Sequence, residues 1–110
     1  AVEVRDERWL NDQIFGVLGD AGAALVWHDL IDDHPREITA DFAYIRYHGP
    51  DATRHRYEGS YPHQSLRRDA DRFADLAGKG TRVFAFFNND KDASAPRDGE
   101  RLGEYLERAL

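Results

Sequence analysis

Four short stretches of this chain each end on side chains able to handle charge or protons: Glu3-Val4-Arg5, His28-Asp29, Arg46-Tyr47-His48-Gly49 and Asn88-Asn89-Asp90. Arg5 and Arg46 can hold a carboxylate or phosphate through paired N–H groups, a geometry that lysine reproduces poorly. His48 titrates near neutrality and can act as a general acid or base, and Glu3 can serve as a base or orient an arginine. Tyr57 and Tyr61 stand in the long polar segment after the third stretch, where they can form a wall or lid, or simply pack the loop. Asn88, Asn89 and Asp90 add amide and carboxylate contacts. Together these groups suit a small anionic or sugar-like ligand, with His48 and Glu3 as the catalytic candidates. Two other chemistries fit the same residues. Glu3 paired with Arg5 or Arg46 would be a purely structural ion network. Glu3, Asp29, His48 and Asp90 could instead supply nitrogen and oxygen ligands to a divalent metal for hydrolysis of phosphate esters or nucleic acid. Against the metal, no HxH or HxxxE pair is present, and nearby arginines repel a cation.

The elements between these stretches decide whether the groups can meet. Ala1 to Arg5 alternates like a strand, and Ala23 to Trp27 is a nearly continuous apolar run, as in strands buried on both faces. Phe42 to Tyr47 and Val83 to Phe87 complete four strands. Asn11 can cap a helix whose stripe is Ile14, Val17, Leu18 and Ala21, with Gly22 just past its end. Leu66, Ala70, Phe73 and Ala77 form a second helical stripe, stopped by Gly78 and Gly80. Leu102, Tyr105, Leu106 and Ala109 form a third, with Glu104 and Arg108 spaced for an ion pair. Asp32 to Pro35 reads as a loop without a helix. Strands alternating with helices imply a parallel sheet, so the fold class is α/β: four strands and three helices that form either a small open sheet or a parallel (β/α) half-barrel, half of an eight-stranded barrel. The C-terminal ends of parallel strands share one edge, the edge where such folds place ligands. On the third strand Tyr44, Arg46 and His48 share a face that would point into a barrel.

The remaining residues narrow the function classes. The net charge of −6 disfavours a general nucleic-acid-binding role. All but two of the 15 basic residues are arginines, the exceptions being Lys79 and Lys91. No apolar run is long enough for a membrane helix, and no secretory signal opens the chain. The absence of cysteine removes disulfides and thiolate metal sites and fits a cytoplasmic setting. No cofactor is implied: no phosphate loop, dinucleotide fingerprint or nucleophile elbow occurs, and Gly78-Lys79-Gly80 is a helix-to-strand turn. His34, His55 and His63 read as solvent-exposed loop residues, and Arg67 and Arg68 beside Asp69 and Asp71 as a solvated helix face.

Glu3-Val4-Arg5 with Trp9, Tyr44-Ile45-Arg46-Tyr47-His48-Gly49, Tyr57-Glu58-Gly59-Ser60-Tyr61 and Phe87-Asn88-Asn89-Asp90 resemble, in that order, the C-terminal half of the YecE-like family. The resemblance covers essentially the whole chain and implies a TIM-like barrel of unknown function. It places Glu3, Arg5, Arg46, His48, Tyr57, Tyr61, Asn88, Asn89 and Asp90 around the barrel mouth. Asp6 departs from a histidine common in the family, and Asp98-Gly99 from an Asn-Ala. A chain without methionine that opens on a strand reads as a fragment, one half-barrel unit over residues 1–110. Four strands of a barrel leave two open edges and an inner face of Tyr44, Phe84 and Phe86 in water. The expected partner is therefore a second copy forming a homodimer, or a missing N-terminal half.

Overall fold

A computed structural model describes all 110 residues. Three parallel strands, β1 (Val26–His28), β2 (Phe42–Tyr47) and β3 (Arg82–Phe87), form one sheet in the order β1-β2-β3. Three helices accompany them: α1 (Asp12–Asp20), α2 (His63–Gly78) and α3 (Ser94–Ala109). Val26 lies opposite Tyr44, and Phe42 to Tyr47 run in unbroken register with Arg82 to Phe87. The alternation is that of a partial TIM-like barrel, so the expected α/β class holds.

The predicted first strand is reduced to a single parallel bridge between Val2 and Leu25. The Val2 N–H donates to the Ala24 carbonyl at 2.8 Å, and the Val2 carbonyl accepts from Val26 N–H at 2.9 Å. The segment therefore keeps the position of a fourth strand without its length. It has a neighbour on one side only, and Asp6 then caps a short 3-10 turn at Glu7–Trp9 that ends the extended run.

Local chemistry sets the helix limits. Asn11 caps α1 by accepting from the Ile14 N–H at 3.1 Å, and Gly22 follows at φ +66°, a conformation that costs glycine nothing. Only Leu18 of the α1 stripe is buried, and Val17 faces solvent, so α1 sits at the margin. In α2, Leu66, Ala70 and Phe73 are buried as their spacing predicts, whereas Ala77, the last of that stripe, is exposed in the final turn. The Glu104–Arg108 pair does not form. The Arg108 guanidinium instead lies 6.0 Å over the Tyr105 ring. No helix is long and apolar enough to cross a membrane.

One face of the sheet carries the core. Trp27, Ala43, Ile45 and Tyr47 pack against Leu66, Ala70 and Phe73 of α2 and Leu102 and Tyr105 of α3. Between β1 and β2 no helix forms, as the sequence indicates. Thr39 of the connector extends the ladder instead, accepting from Leu25 N–H at 2.9 Å and donating to the Ala23 carbonyl at 2.6 Å. The opposite face has no cover. Tyr44 stacks on Phe86 with centroids 5.0 Å apart, and Phe84 and Phe86 remain 39% and 46% exposed.

The two faces predict different costs for truncation in the isolated chain. Leu66→Ala removes a fully buried side chain and should destabilise by about 2–5 kcal/mol. Phe86→Ala should cost less than half as much in urea unfolding. Equal costs for the two would mean that the aromatic face is already covered in solution.

Candidate functional site

The strand ends are tied across the open face by one line of polar contacts. Arg5 Nε donates to Glu3 Oε2 at 2.7 Å, Arg46 Nη1 to Glu3 Oε1 at 3.0 Å, and Arg46 Nε to Asn88 Oδ1 at 3.2 Å. Glu3 thus bridges from the Val2 segment over β1 to β2, and Arg46 continues the line to the end of β3. Burial alone would raise the Glu3 pKa. The hydrogen bond from Arg5 and the charges of Arg46, Arg5 and His48 outweigh it and hold the carboxyl below its ordinary value.

His48 lies behind this line and is fully buried. Its Nε2 is 3.9 Å from Glu3 Oε1, and its Nδ1 is 3.5 Å from Asp29 Oδ1. Neither ring nitrogen has a hydrogen-bond partner. His48 and Arg46 therefore meet on the same carboxylate, on the strand face where their spacing puts them. Burial lowers the His48 pKa. Glu3 and Asp29 pull it back up, Arg46 and His28 add to the lowering, and the net direction is down. The site at neutral pH is a neutral imidazole between two carboxylates.

Asp29 is set by its own partners. Oδ1 accepts from the His48 backbone N–H at 2.8 Å, and Oδ2 accepts from the Tyr61 hydroxyl, which also accepts from Gly49 N–H at 2.8 Å. Gly49 cannot be replaced without moving this loop: at φ +141°, an added Cβ would stand 2.6 Å from the Glu58 carbonyl oxygen. Tyr57 is left-handed at φ +68°, and its ring lies 5.9 Å from His48, so it forms a partly exposed cover.

Not every sequence candidate reaches the mouth. Tyr61 is buried, and its hydroxyl is spent on Asp29 and Gly49. Asn89 turns fully inward, donating to the Gly59 carbonyl and to Asp98 Oδ2, both at 2.8 Å. Asp90 is exposed and makes no ion pair. Glu3, Asp29, His48 and Asp90 do not converge as metal ligands, and no other group of three His, Asp or Glu side chains does. One histidine read as exposed is not, and a second is exposed but not an unpartnered loop residue. His34 is buried against His28 with ring centroids 4.4 Å apart, and His63 bonds the Tyr105 hydroxyl at the start of α2. His55 is exposed near Glu58.

Asp98 is the polar residue that the sequence reading missed. It is fully buried in α3 and accepts from Ser60 Oγ, the Tyr61 N–H, Asn89 Nδ2 and Arg101. Burial would raise its pKa, and these donors hold it below the ordinary value instead. The signal was available, because Ala95, Asp98, Leu102 and Tyr105 share one stripe of α3. A carboxylate on an apolar stripe must be satisfied from inside. By holding the Tyr61 backbone, Asp98 fixes the loop that presents the Tyr61 hydroxyl to Asp29.

The fold and the polar strand ends define a parallel α/β half-barrel with a charged C-terminal edge. The chain belongs to the family described as "Protein of unknown function DUF72", which it matches over residues 1–110. It is similar to the solved DUF72 family protein of Enterococcus faecalis at 17% identity and TM-score 0.77, over 96% of this chain and 46% of that one. The DUF72 family protein of Thermotoga maritima is similar at 22% identity and TM-score 0.78, over 90% and 42%. The chain thus spans less than half the length of these solved relatives. No curated protein matches it.

The buried imidazoles give a pH test. His34 and His48 are both held below the ordinary value of 6.5, His34 mainly by burial. As the pH falls below about 6.5, the unfolded chain binds protons that the folded chain refuses, so stability falls. Glu3 works in the lower window: its contribution is present above 4.5 and is lost as the pH falls through its depressed folded value. Urea midpoints should therefore decline between roughly pH 7 and 5. The His34→Asn/His48→Asn double variant should flatten that decline, and an unchanged slope would show that these imidazoles are not the cause.

Proposed function

We propose that this chain is the C-terminal half of a YecE-like barrel whose strand-end edge binds a small anionic molecule, a carboxylate or phosphate. Arg5 and Arg46 form the clamp, with Asn88 beside them and Tyr57 as cover. His48 and Glu3 handle protons in a hydrolytic or rearrangement step. The observation that carries this reading is His48, a fully buried imidazole with no hydrogen-bond partner, set between two carboxylates. An unsatisfied buried polar group costs about 1–3 kcal/mol, and such costs concentrate where a ligand or a reaction supplies the missing contact. A neutral His48 can accept a proton at once, and ionised Glu3 would stabilise the imidazolium that forms. Glu3 also keeps the two guanidinium groups side by side until an anion competes for them.

A second reading has its own support. Glu3 already occupies both arginines, as a non-catalytic scaffold with a structural ion network requires. In either case the barrel is completed by a second copy of the chain or by an N-terminal half that covers Tyr44, Phe84 and Phe86. Arg46→Lys separates the two readings. Isothermal titration with phosphate and with citrate should show binding weaker by about tenfold to a hundredfold, since one charge-assisted hydrogen bond of about 1.5–3 kcal/mol is lost. The melting temperature without ligand should change little. Unaltered binding together with a melting loss as large as that of Leu66→Ala would assign Arg46 to the structural network.

A further inference from the structure

The connector between β1 and β2, residues 29 to 41, leaves the outer side of the sheet without a helix at that point. The space is a cavity of about 300 Å³ between the connector and the loop at Pro50 to Thr53, within the size range of small-molecule sites. Its apolar floor includes Trp27, Ile45 and Phe73, and its walls carry Asp32, Asp33, Asp51 and His34.

The polar groups of this cavity share one character. His34 Nδ1 lies 2.8 Å from the Pro35 carbonyl oxygen, which can only accept, so Nδ1 carries the hydrogen. Nε2 is then an acceptor, buried and without a donor. Burial first, then His28 and Arg36, lower the His34 pKa against the Pro35 hydrogen bond and a weaker pull from Glu3. His28 offers no donor either: Leu30 N–H occupies its Nδ1, and its Nε2–H is spent on the Val4 carbonyl. The Trp27 indole N–H is spent on the Glu37 carbonyl at 2.9 Å. Asp32, Asp33 and Asp51 are exposed and enter no ion pair; Arg36 and Arg46 are the two cationic side chains in the lining, and Arg46 is already spent on Glu3 and Asn88. The cavity is thus net negative, with Asp29, Asp32, Asp33, Asp51 and Asp69 against Arg36 and Arg46, and its floor is apolar.

We propose that this cavity binds a small organic cation, a protonated amine or guanidine on a short apolar body. The cationic head donates to the carboxylates and to His34 Nε2, and the body lies on the Trp27, Ile45 and Phe73 floor. This site lies behind the anion site at the strand ends, shares Arg46 and Asp29 with its border, and is opposite to it in charge preference.

The test uses two probes with the same ring and opposite charge, benzylamine and benzoate. Each is titrated into the 110-residue chain while the imidazole nitrogen signals of His34 are followed by NMR and affinity by calorimetry. Benzylamine should move the His34 signals, and benzoate should not. Asp33→Asn/Asp51→Asn should weaken benzylamine by about tenfold or more, because charge-assisted contacts are lost. Both positions are exposed, and asparagine tolerates the left-handed backbone of Asp33 (φ +54°), so the fold should survive, as circular dichroism would verify. His34→Phe should weaken it in the same direction, whereas Arg36→Gln should tighten it. The proposal is overturned if benzoate moves His34 as benzylamine does, if the double asparagine variant binds benzylamine like the wild type, or if His34 does not respond at millimolar concentration.

Discussion

A sheet has two faces, and a parallel sheet is stable when apolar groups cover both. Here α2 and α3 cover one, and the consequences reach every other feature of the molecule. The covered face collects Ala43, Ile45 and Tyr47 from β2 and partly buried Val83, Ala85 and Phe87 from β3. The alternate residues, Phe42, Tyr44, Phe84 and Phe86, pair among themselves as aromatic contacts instead. Arg46 belongs to that second set. Its guanidinium therefore emerges on the open face at the strand ends, where Glu3 and Asn88 can reach it. The polar edge and the uncovered aromatics are products of one alternation.

Charge at the edge is balanced locally. Glu3 is shared by two guanidinium groups, so the trio keeps one net positive charge. His48 sits where the carboxylates favour its protonated form and burial opposes it. Burial is the larger influence, so the ring is held toward its neutral form. Asp29 is held in place by Tyr61 and the His48 backbone, which both donate to it. The imidazole is thereby oriented by groups that never need to touch a ligand. Tyr61 belongs among these positioning groups, although its place on a loop made it look like a wall of the site.

Legibility in the sequence followed how local each feature is. The Asn11 cap, the α2 stripe and the limits of β2 depend on neighbours within one or two turns, and the structure reproduces them. The shared edge for Glu3, Arg46 and Asn88 followed from parallel topology alone. Features set by distant partners were not legible. Val2 alternates like a strand residue, but with one neighbour it forms a single bridge. Glu104 and Arg108 have ideal spacing, yet Arg108 finds the Tyr105 ring. Asn89 and Asp98 meet through the Gly59–Tyr61 loop, 30 residues away in sequence from Asn89. No periodicity encodes such a meeting, and only the polar intrusion in the α3 stripe marked it. His34 follows the same rule: its burial comes from stacking on His28 at the end of another element.

Asp29 links the two sides of the wall. One oxygen serves His48 on the side of the strand-end edge, while the side chain also borders the acidic cavity behind β1. A cation held in that cavity would add positive charge near Asp29 and so weaken its pull on the His48 proton. An anion bound at Arg46 would compete for Glu3 and weaken the other pull. Both occupants would act on the same imidazole through different carboxylates, with no movement of the backbone required. The missing helix between β1 and β2 is therefore more than a gap in the pattern. It leaves Asp29 bordering the cavity as well as the edge, so a charge held behind β1 would reach the electrostatics of the edge.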